Sequence, residues 1–594
     1  MKTKVWKNNM FLLKFCFRAA PKFLVMQIIN SVRQEVVVFL EFTLCLNYVL
    51  ECAEFGRPFW KAGLFLACVM AFVILTSLFD SWYWLKLRDQ TIPAIKQRFK
   101  EKLYAKAKEI DIECYDNPEF YNDYVLAVAE ADNQIDRVLQ MLSNFCQAVT
   151  VIVCAGGFFL VKEPLSFVFI AVSFAGTFFI GKLRNKLNYK IRISKNPFER
   201  KLAYINRVFY LNDYAKEIRL NAEASGELLK DFGATNDETL SIDKKNAKKR
   251  FWLSFVRDYL LNDFIMDVLY ISYLVWKAAV LRQISYANVA VLYGSSGRLK
   301  RYMGTFAEIY PYAQETSLYV DKILKFLELQ PKIVSEGNVP VPDEPTEIVL
   351  KNVSFGYGDN YVLKNINMRI DPRKKVAIVG YNGAGKTTLI KLIMRLYDPN
   401  EGEVLLNGVN IKRYNLAEYR EKIGTVFQDF KIFAATVKEN VLLDFAENAD
   451  EGAVCSALEN AGFAERLASL PGGLNANLTT EFEDDGVNLS GGEAQKVAIA
   501  RVFYAKANTI ILDEPSSALD PIAEYNLNNS MLTAAENKSV VFISHRLSTT
   551  CIADDIYMME GGAVIEHGTH AELLALSGKY AYMWNAQAGR YIVA

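Results

Sequence analysis

Histidine is nearly missing from this chain. Only His545, His567 and His570 occur in 594 residues, so the first half offers no imidazole to a metal or a proton relay. Neither sign of charge is in excess: 68 Lys+Arg stand against 67 Asp+Glu, a net +1. That balance gives no electrostatic footprint for general nucleic-acid binding. The nine cysteines, at 16, 45, 52, 68, 114, 146, 154, 455 and 551, include no C-x-x-C pair. A disulfide framework and a structural zinc site are therefore disfavoured, and the cysteines read as small buried hydrophobes. The N-terminal stretch is not expected to be a secretory signal, because Lys14 interrupts the apolar run 10–17 and no small-residue cleavage site follows.

What is present falls into two unlike halves. With 52% hydrophobic and 23% charged residues the chain cannot be disordered, and its length calls for several domains. Residues 1–22, with Trp6, Phe11, Phe15 and Arg18, read as an amphipathic helix along the cytoplasmic face of a membrane. Six apolar segments follow over 24–53, 62–85, 138–161, 165–182, 255–281 and 284–305. The second carries only Asp80, and 141–161 and 165–181 carry no charge at all. A bilayer core asks for about 20 such residues. Charges interrupt the first, fifth and sixth segments, and hydropathy alone would miss the sixth.

Loop charge sets the expected orientation. The long stretches 86–137 and 183–250 hold clusters such as Arg184, Lys186, Lys190, Arg192 and Lys195, whereas the three short connections are nearly balanced. The positive-inside rule puts the long stretches and both termini in the cytoplasm. They are too long for loops and read as helices continuing out of the membrane. The expectation for 23–330 is thus an α-helical polytopic membrane domain with long cytoplasmic helical extensions. The missing signal or transit segment suits a bacterial inner (plasma) membrane.

Composition changes at Pro331, Pro340, Pro342 and Pro345, which mark a linker over 331–346. Over 347–594, strand-like runs such as KVAIVG, TIILDEP and SVVFISH alternate with helical stretches, the pattern of an α/β domain with a mainly parallel sheet. Within it lies Gly380-Tyr381-Asn382-Gly383-Ala384-Gly385-Lys386-Thr387-Thr388, after a strand and opening a helix. Glycines there let backbone N–H groups converge on phosphate oxygens at a helix N-terminus, which makes this a P-loop. Lys386 is expected to bridge the β- and γ-phosphates and the Thr387 hydroxyl to ligate Mg²⁺. Further on, Ile510-Ile511-Leu512-Asp513-Glu514 reads as a buried strand delivering two acids to the same sheet edge. Asp513 can hold Mg²⁺ through water, and Glu514 can orient or deprotonate the attacking water.

Between these motifs stands Leu489-Ser490-Gly491-Gly492-Glu493-Ala494-Gln495. It resembles the signature of ATP-binding cassette proteins, and six spans followed by one cassette resemble an ABC exporter half-transporter. That resemblance implies ATP and Mg²⁺ as cofactors and an ATP hydrolase coupled to transport. It implies an adenine stacked on Tyr357, a Gln428 reaching Mg²⁺ and the lytic water, and a His545 bonding the γ-phosphate. Ser517, Ala518, Leu519 and Asp520 resemble the loop that contacts the opposite subunit. ATP would lie between the P-loop of one cassette and Ser490, Gly491 and Gly492 of another, so the chain is expected to dimerise. Because every motif residue is intact, a homodimer is expected over a heterodimer. The stretch Thr480-Glu-Phe-Glu-Asp-Asp-Gly486 departs from the family's usual pattern where a cassette senses its membrane domain. The segments 114–122 and 209–224 resemble coupling helices, with Phe120, Tyr121, Phe209 and Tyr210 at their tips.

Charges inside the spans bear on cargo. Arg33, Glu35 and Glu41 lie in the first, Asp263 and Asp267 in the fifth, and Arg298 and Arg301 in the sixth. They suggest a polar cavity for a peptide-like or polar charged solute; pairing with one another is the alternative. A lipid or lipid-linked glycan flippase, and an ATP-gated channel or regulator, are the other functions weighed. A leader-cleaving protease domain ahead of residue 20 is not expected, so any peptide cargo is expected to arrive already processed or to be trimmed elsewhere.

Overall fold

The computed structural model describes residues 2–594 except 359, 445–449, 516–523, 525, 528, 531–532, 534–536, 545–546 and 589–594. The side chains at 2–3, 118–119, 122–123, 126, 547–548 and 588 lie outside the description as well. Two compact units form: Met1–Lys108 with Pro118–Leu329, and Glu109–Asn117 with Gln330–Ala594.

The first unit is helical. Its elements are α1 (Lys2–Ala19), α2 (Pro21–Phe39), α3 (Leu46–Glu54), α4 (Phe59–Trp82), α5 (Asp89–Glu109), α7 (Pro118–Lys162), α8 (Ser166–Tyr210), α9 (Asn212–Leu220), α10 (Ala222–Phe255), α11 (Tyr270–Ala279) and α12 (Tyr286–Glu328). The short α6 (Ile112–Asp116) belongs to the second unit. π-helical stretches over Leu40–Cys45, Tyr83–Arg88 and Val256–Leu269 join α2 to α3, α4 to α5 and α10 to α11 without a break. Helices α7 and α8 run 45 residues each. At about 1.5 Å per residue, each is roughly twice as long as a ~30 Å bilayer core requires.

Four stretches, Pro21–Glu54, Phe59–Glu109, Ala127–Lys162 and Ser166–Tyr210, are long and apolar enough to cross a membrane among the described residues. The expected fifth and sixth spans form α10–α11 and α12 but do not meet that measure, since Asp258, Asp263, Asp267, Arg298, Lys300 and Arg301 dilute their apolar runs. Helix α4 buries only Ala62, Val69 and Thr76, a stripe with a seven-residue repeat. Its remaining faces, with Leu64, Leu75 and Leu78, are bare apolar surface of the kind a lipid tail covers. A core of Val151, Phe159, Ile170, Met266, Tyr270 and Leu292 ties α7, α8, α11 and α12 together.

Helix α1 does more than lie on an interface. Asn8 Nδ2 donates to Ser317 O at 3.1 Å, Asn9 Nδ2 to Ala313 O at 2.8 Å, and Phe15 meets Phe99 edge-on. Its buried side, with Leu12 and Cys16, is thereby seated on α5 and α12, while Trp6, Met10 and Phe17 face outward.

The second unit holds two sheets. β1 (Ile348–Tyr357), β2 (Asn360–Ile370), β4 (Glu401–Leu406) and β5 (Val409–Asn410) form an antiparallel sheet in the order β2-β1-β4-β5. The other has the order β10-β9-β3-β8-β7-β6, from β3 (Lys375–Gly380), β6 (Ile423–Val426), β7 (Thr509–Asp513), β8 (Ser539–Ile543), β9 (Asp555–Glu560) and β10 (Ala563–Gly568). It is parallel except for the β9–β10 hairpin. Helices α13 (Lys386–Ile393), α14 (Leu416–Glu421), α15 (Val437–Leu442), α16 (Glu451–Asn460), α17 (Ala464–Ser469) and α18 (Gly491–Tyr504) surround it. The continuous apolar runs of β3, β7 and β8 are explained by burial on both faces. Ala377, Val379, Ile510, Leu512, Val540 and Phe542 enter one core, and Val376, Ile378, Ile511, Val541 and Ile543 the other.

Candidate active site

Three parallel strands deliver the site. β3 ends at Gly380 and the loop to α13 follows, β7 ends at Asp513, and β6 leads to Gln428. Two glycines in the loop are demanded by geometry. Gly385 has φ +97°, and a Cβ there would sit 2.6 Å from Leu363 Cδ2. At Gly380 a Cβ would sit 2.3 Å from Met559 O, so the strand end admits no side chain. Asn382, Gly383 and Thr387 are exposed, whereas Lys386 and Thr388 are buried.

The Lys386 ammonium curls into its own loop, donating to Gly380 O at 2.9 Å and Tyr381 O at 3.1 Å. Burial pushes it below the ordinary lysine range, against the pull of the Glu514 and Asp513 carboxylates. Thr387 Oγ1 donates to Asp513 Oδ2 at 3.0 Å, which brings together two residues 126 positions apart. The hydroxyl and carboxylate are hard oxygen donors of the kind Mg²⁺ takes.

Glu514 is held from three sides. Gln428 Nε2 donates to its Oε2 at 3.0 Å, Gln495 Nε2 to its carbonyl at 3.2 Å, and its own N–H donates to Ile543 O at 3.1 Å. Its φ is +54°, a left-handed conformation that a non-glycine residue seldom adopts. The Gln495 contact was not anticipated in the sequence, although its signal, the glutamine closing the signature motif, was in view.

Tyr357 ends β1 and is 39% exposed. Phe355 lies 5.1 Å away and Tyr397 5.4 Å away at 87°. Ser490 is the N-cap of α18: its Oγ accepts from Glu493 N at 3.3 Å, and Glu493 Oε2 accepts from Ser490 N at 2.8 Å. These bonds hold the Glu493 carboxyl below its ordinary range, backbone hydrogen bonding being the main cause. Gly491 and Gly492 form the first turn, beside Ser490 at the exposed end. His545 and the loop containing Ser517 and Asp520 lie outside the described residues. In the segment 480–486, the side chains of Glu481, Phe482, Glu483, Asp484 and Asp485 are exposed, Phe482 by 81%.

In the helical unit five of the seven candidate cavity charges are held in ion pairs. Arg298 bonds Glu35 Oε2 at 2.7 Å, and Tyr302 donates to the other oxygen of Glu35. Lys300 reaches Asp263 at 2.8 Å and Asp267 at 3.4 Å, while Arg33 pairs with Asp80. Glu41 and Arg301 make no ion pair among the described residues. Of the aromatics expected at the coupling tips, Phe120 instead stacks within the helical unit, against Tyr124 and Phe326. Tyr121, Phe209 and Tyr210 stand exposed.

A family model described as ABC transporter matches residues 363–517. The subtilin transport ATP-binding protein SpaT of Bacillus subtilis is 29% identical over 499 residues, covering 82% of this chain and 79% of that protein. An ATP-binding/permease protein of Staphylococcus aureus, named for multidrug export, is 39% identical over 253 residues, 42% of this chain and 43% of its own length. The solved structure of a bacterial Atm1-family ABC exporter with ATP bound superposes with a TM-score of 0.77 at 20% identity, covering 96% of this chain and 98% of that one, a likeness of fold. Residues 363–517 thus match the ABC transporter family, and the chain as a whole, a helical domain with candidate membrane spans followed by one ATP-binding cassette, has the fold of an ABC exporter, an arrangement in which ATP hydrolysis is coupled to transport.

Proposed function

We propose that this exporter carries a peptide-like or other polar, charged solute outward across the cell inner (plasma) membrane, as a homodimer with its cassettes and termini in the cytoplasm. The observation that carries the reading is the likeness over 82% of this chain to a protein named for subtilin transport; the charges of the helical unit are paired, Glu35 with Arg298, Asp263 and Asp267 with Lys300, and Arg33 with Asp80, which is the alternative weighed from the sequence. Charge in a membrane domain is costly to maintain. Likeness to a protein named for subtilin transport, over most of both chains, supports the transport reading.

In this reading Lys386 leaves the carbonyls of Gly380 and Tyr381 for the phosphates, cradled by Asn382, Gly383, Gly385 and Thr388. Thr387, Asp513 and Gln428 would hold Mg²⁺, which supplies charge neutralisation at the β- and γ-oxygens when bound. Glu514 accepts a proton as the water oxygen bonds the γ-phosphorus and the bond to the ADP oxygen breaks. His545 bonds the γ-phosphate, and Tyr357 stacks the base. Ser490, Gly491 and Gly492 serve the second copy's nucleotide, with Asp520 at the junction. Each chain brings one P-loop and one signature, so two copies complete two sites, and ATP favours the closed pair.

The test is Mg-ATPase activity of the purified chain in lipid vesicles, challenged separately with peptides and with lipids. Hydrolysis by the single chain, raised by peptides, is the expected result. Stimulation by lipids alone would move the assignment to a flippase, and an inactive chain would call for a partner subunit.

A further inference from the structure

Between 481 and 495 the chain carries five acids, Glu481, Glu483, Asp484, Asp485 and Glu493, and no lysine or arginine. The signature motif lies inside this acidic stretch. Lys496 follows it in α18 and adds to the pull on the Glu493 carboxylate, but the direct contact comes from α17. Arg466 Nε forms an ion pair with Glu493 Oε1 at 2.9 Å, while Glu493 Oε2 accepts from Ser490 N at 2.8 Å. Each carboxylate oxygen therefore has its own partner. The group is fixed in orientation as well as balanced in charge.

The sequence of α17 explains how the guanidinium is presented. Phe463 just before the helix is fully buried, Leu467 packs against the same core, and Leu470 beyond its end is buried as well. These positions recur at helical spacing and turn one face inward, which leaves Arg466 at the rim. Ser469 Oγ donates to Arg466 O at 2.7 Å and accepts from Arg466 Nη1 at 3.3 Å, so the side chain is clasped by its own helix. The side chains of Arg466 and Glu493 are 36% and 28% exposed. An ion pair at such a depth contributes little to folding. Its weight is electrostatic, because it stands beside the residue that is to meet a polyanion.

We propose that Arg466 is a positioning residue for the nucleotide held by the second copy: it pins and neutralises Glu493, so that the signature turn around Ser490 receives a triphosphate without a bare carboxylate next to it. Without Arg466, Glu493 Oε1 is released and its charge opposes the incoming phosphates, a like-charge juxtaposition that costs affinity. This inference rests on the reading that Ser490 meets the second copy's ATP.

The experiment is the Mg-ATPase of the full chain in lipid vesicles, with kcat and the half-saturating ATP concentration read separately. Arg466→Met keeps the aliphatic stem and removes the charge. It should raise half-saturation about fivefold, the upper range for a partly exposed ion pair, and leave kcat within about twofold, since Glu514 and the P-loop keep their contacts. Arg466→Lys retains a cation and should keep most of the wild-type affinity. The decisive variant combines Arg466→Met with Glu493→Gln, which leaves no carboxylate to neutralise. Its half-saturation should lie within about twofold of Glu493→Gln alone. Raising the salt concentration should shrink the Arg466→Met defect, because screening acts on charge and not on packing. A merely structural arginine would give a loss that neither the glutamine nor salt relieves. That result would overturn the proposal, and so would an unchanged half-saturation in Arg466→Met.

Ser490→Ala separates this inference from the reading beneath it. Both turnover and ATP affinity should suffer in that variant. If neither changes, the signature does not meet the nucleotide, and the role of Arg466 falls with that reading. A loss in Ser490→Ala with none in Arg466→Met would remove the role of Arg466 alone.

Discussion

The side-chain amide of Gln428 donates to the Glu514 carboxylate across 3.0 Å, joining the strand ends of β6 and β7. The carboxylate is thereby aimed by a neutral donor, which leaves its charge in place. The same glutamate is gripped at its carbonyl by Gln495, the last residue of the signature motif at the start of α18. Acid and signature helix are thus mechanically joined within one chain.

Replacing the acid is the most direct check. Glu514→Gln should cut phosphate release by a factor of about 100 or more, the range a positioned proton acceptor supplies. ATP binding, measured on the same preparation by filter retention or calorimetry, should persist. Loss of both together would assign Glu514 to binding.

Gln495→Met keeps the volume and removes the amide. We expect kcat for ATP to fall roughly tenfold through misplacement of Glu514. KM should stay within about twofold, since no ground-state contact to nucleotide is lost. A rise in KM with constant kcat would contradict the positioning role.

The Glu35–Arg298 pair gives a stability prediction. Arg298→Leu alone strands a carboxylate that is 6% exposed, and should destabilise by about 3 kcal/mol. Adding Glu35→Gln should recover most of that loss. The two changes should be strongly non-additive in thermal unfolding of the detergent-solubilised chain. Additive losses would mean that the two groups act independently.

Acid should weaken the cap of α18. The Glu493 carboxyl is depressed by its bond from Ser490 N, so its contribution is present above the ordinary carboxylate range and is lost as pH falls through the lowered value. Wild type and Glu493→Ala should differ by no more than about 1 kcal/mol at neutral pH, after discounting for solvent screening. The difference should shrink as the pH is lowered below the unperturbed carboxylate range. A gap that does not change with pH would point to helix propensity instead.

The phosphate loop was readable because its chemistry is written in consecutive residues: glycines that set the turn, then Lys386 and Thr387 opening a helix. The mainly parallel sheet was readable too, from short apolar runs such as Ile510-Ile511-Leu512 alternating with helical stretches. The partner of each charge was not readable. Glu35 and Arg298 are 263 residues apart, and Asp116 and Tyr397 281. Such pairings depend on which helix face turns inward, which local periodicity leaves open when α2, α10 and α12 all carry mixed faces. Phe120 illustrates the same gap: an aromatic at a turn reads as a docking residue, yet Phe326 of α12 was within reach. Helix α1 was legible as amphipathic, but Asn8 and Asn9 gave no sign that they would bond α12.

The backbone at Glu514 carries a cost of its own. A left-handed φ of +54° asks for glycine, and a larger residue there gives up about 1–3 kcal/mol. Glu514→Gly would relax the turn and discard the carboxylate in one step. At this position, thermal robustness and turnover are rivals, so a screen of variants for heat resistance alone would drift toward a sturdier protein that no longer burns ATP.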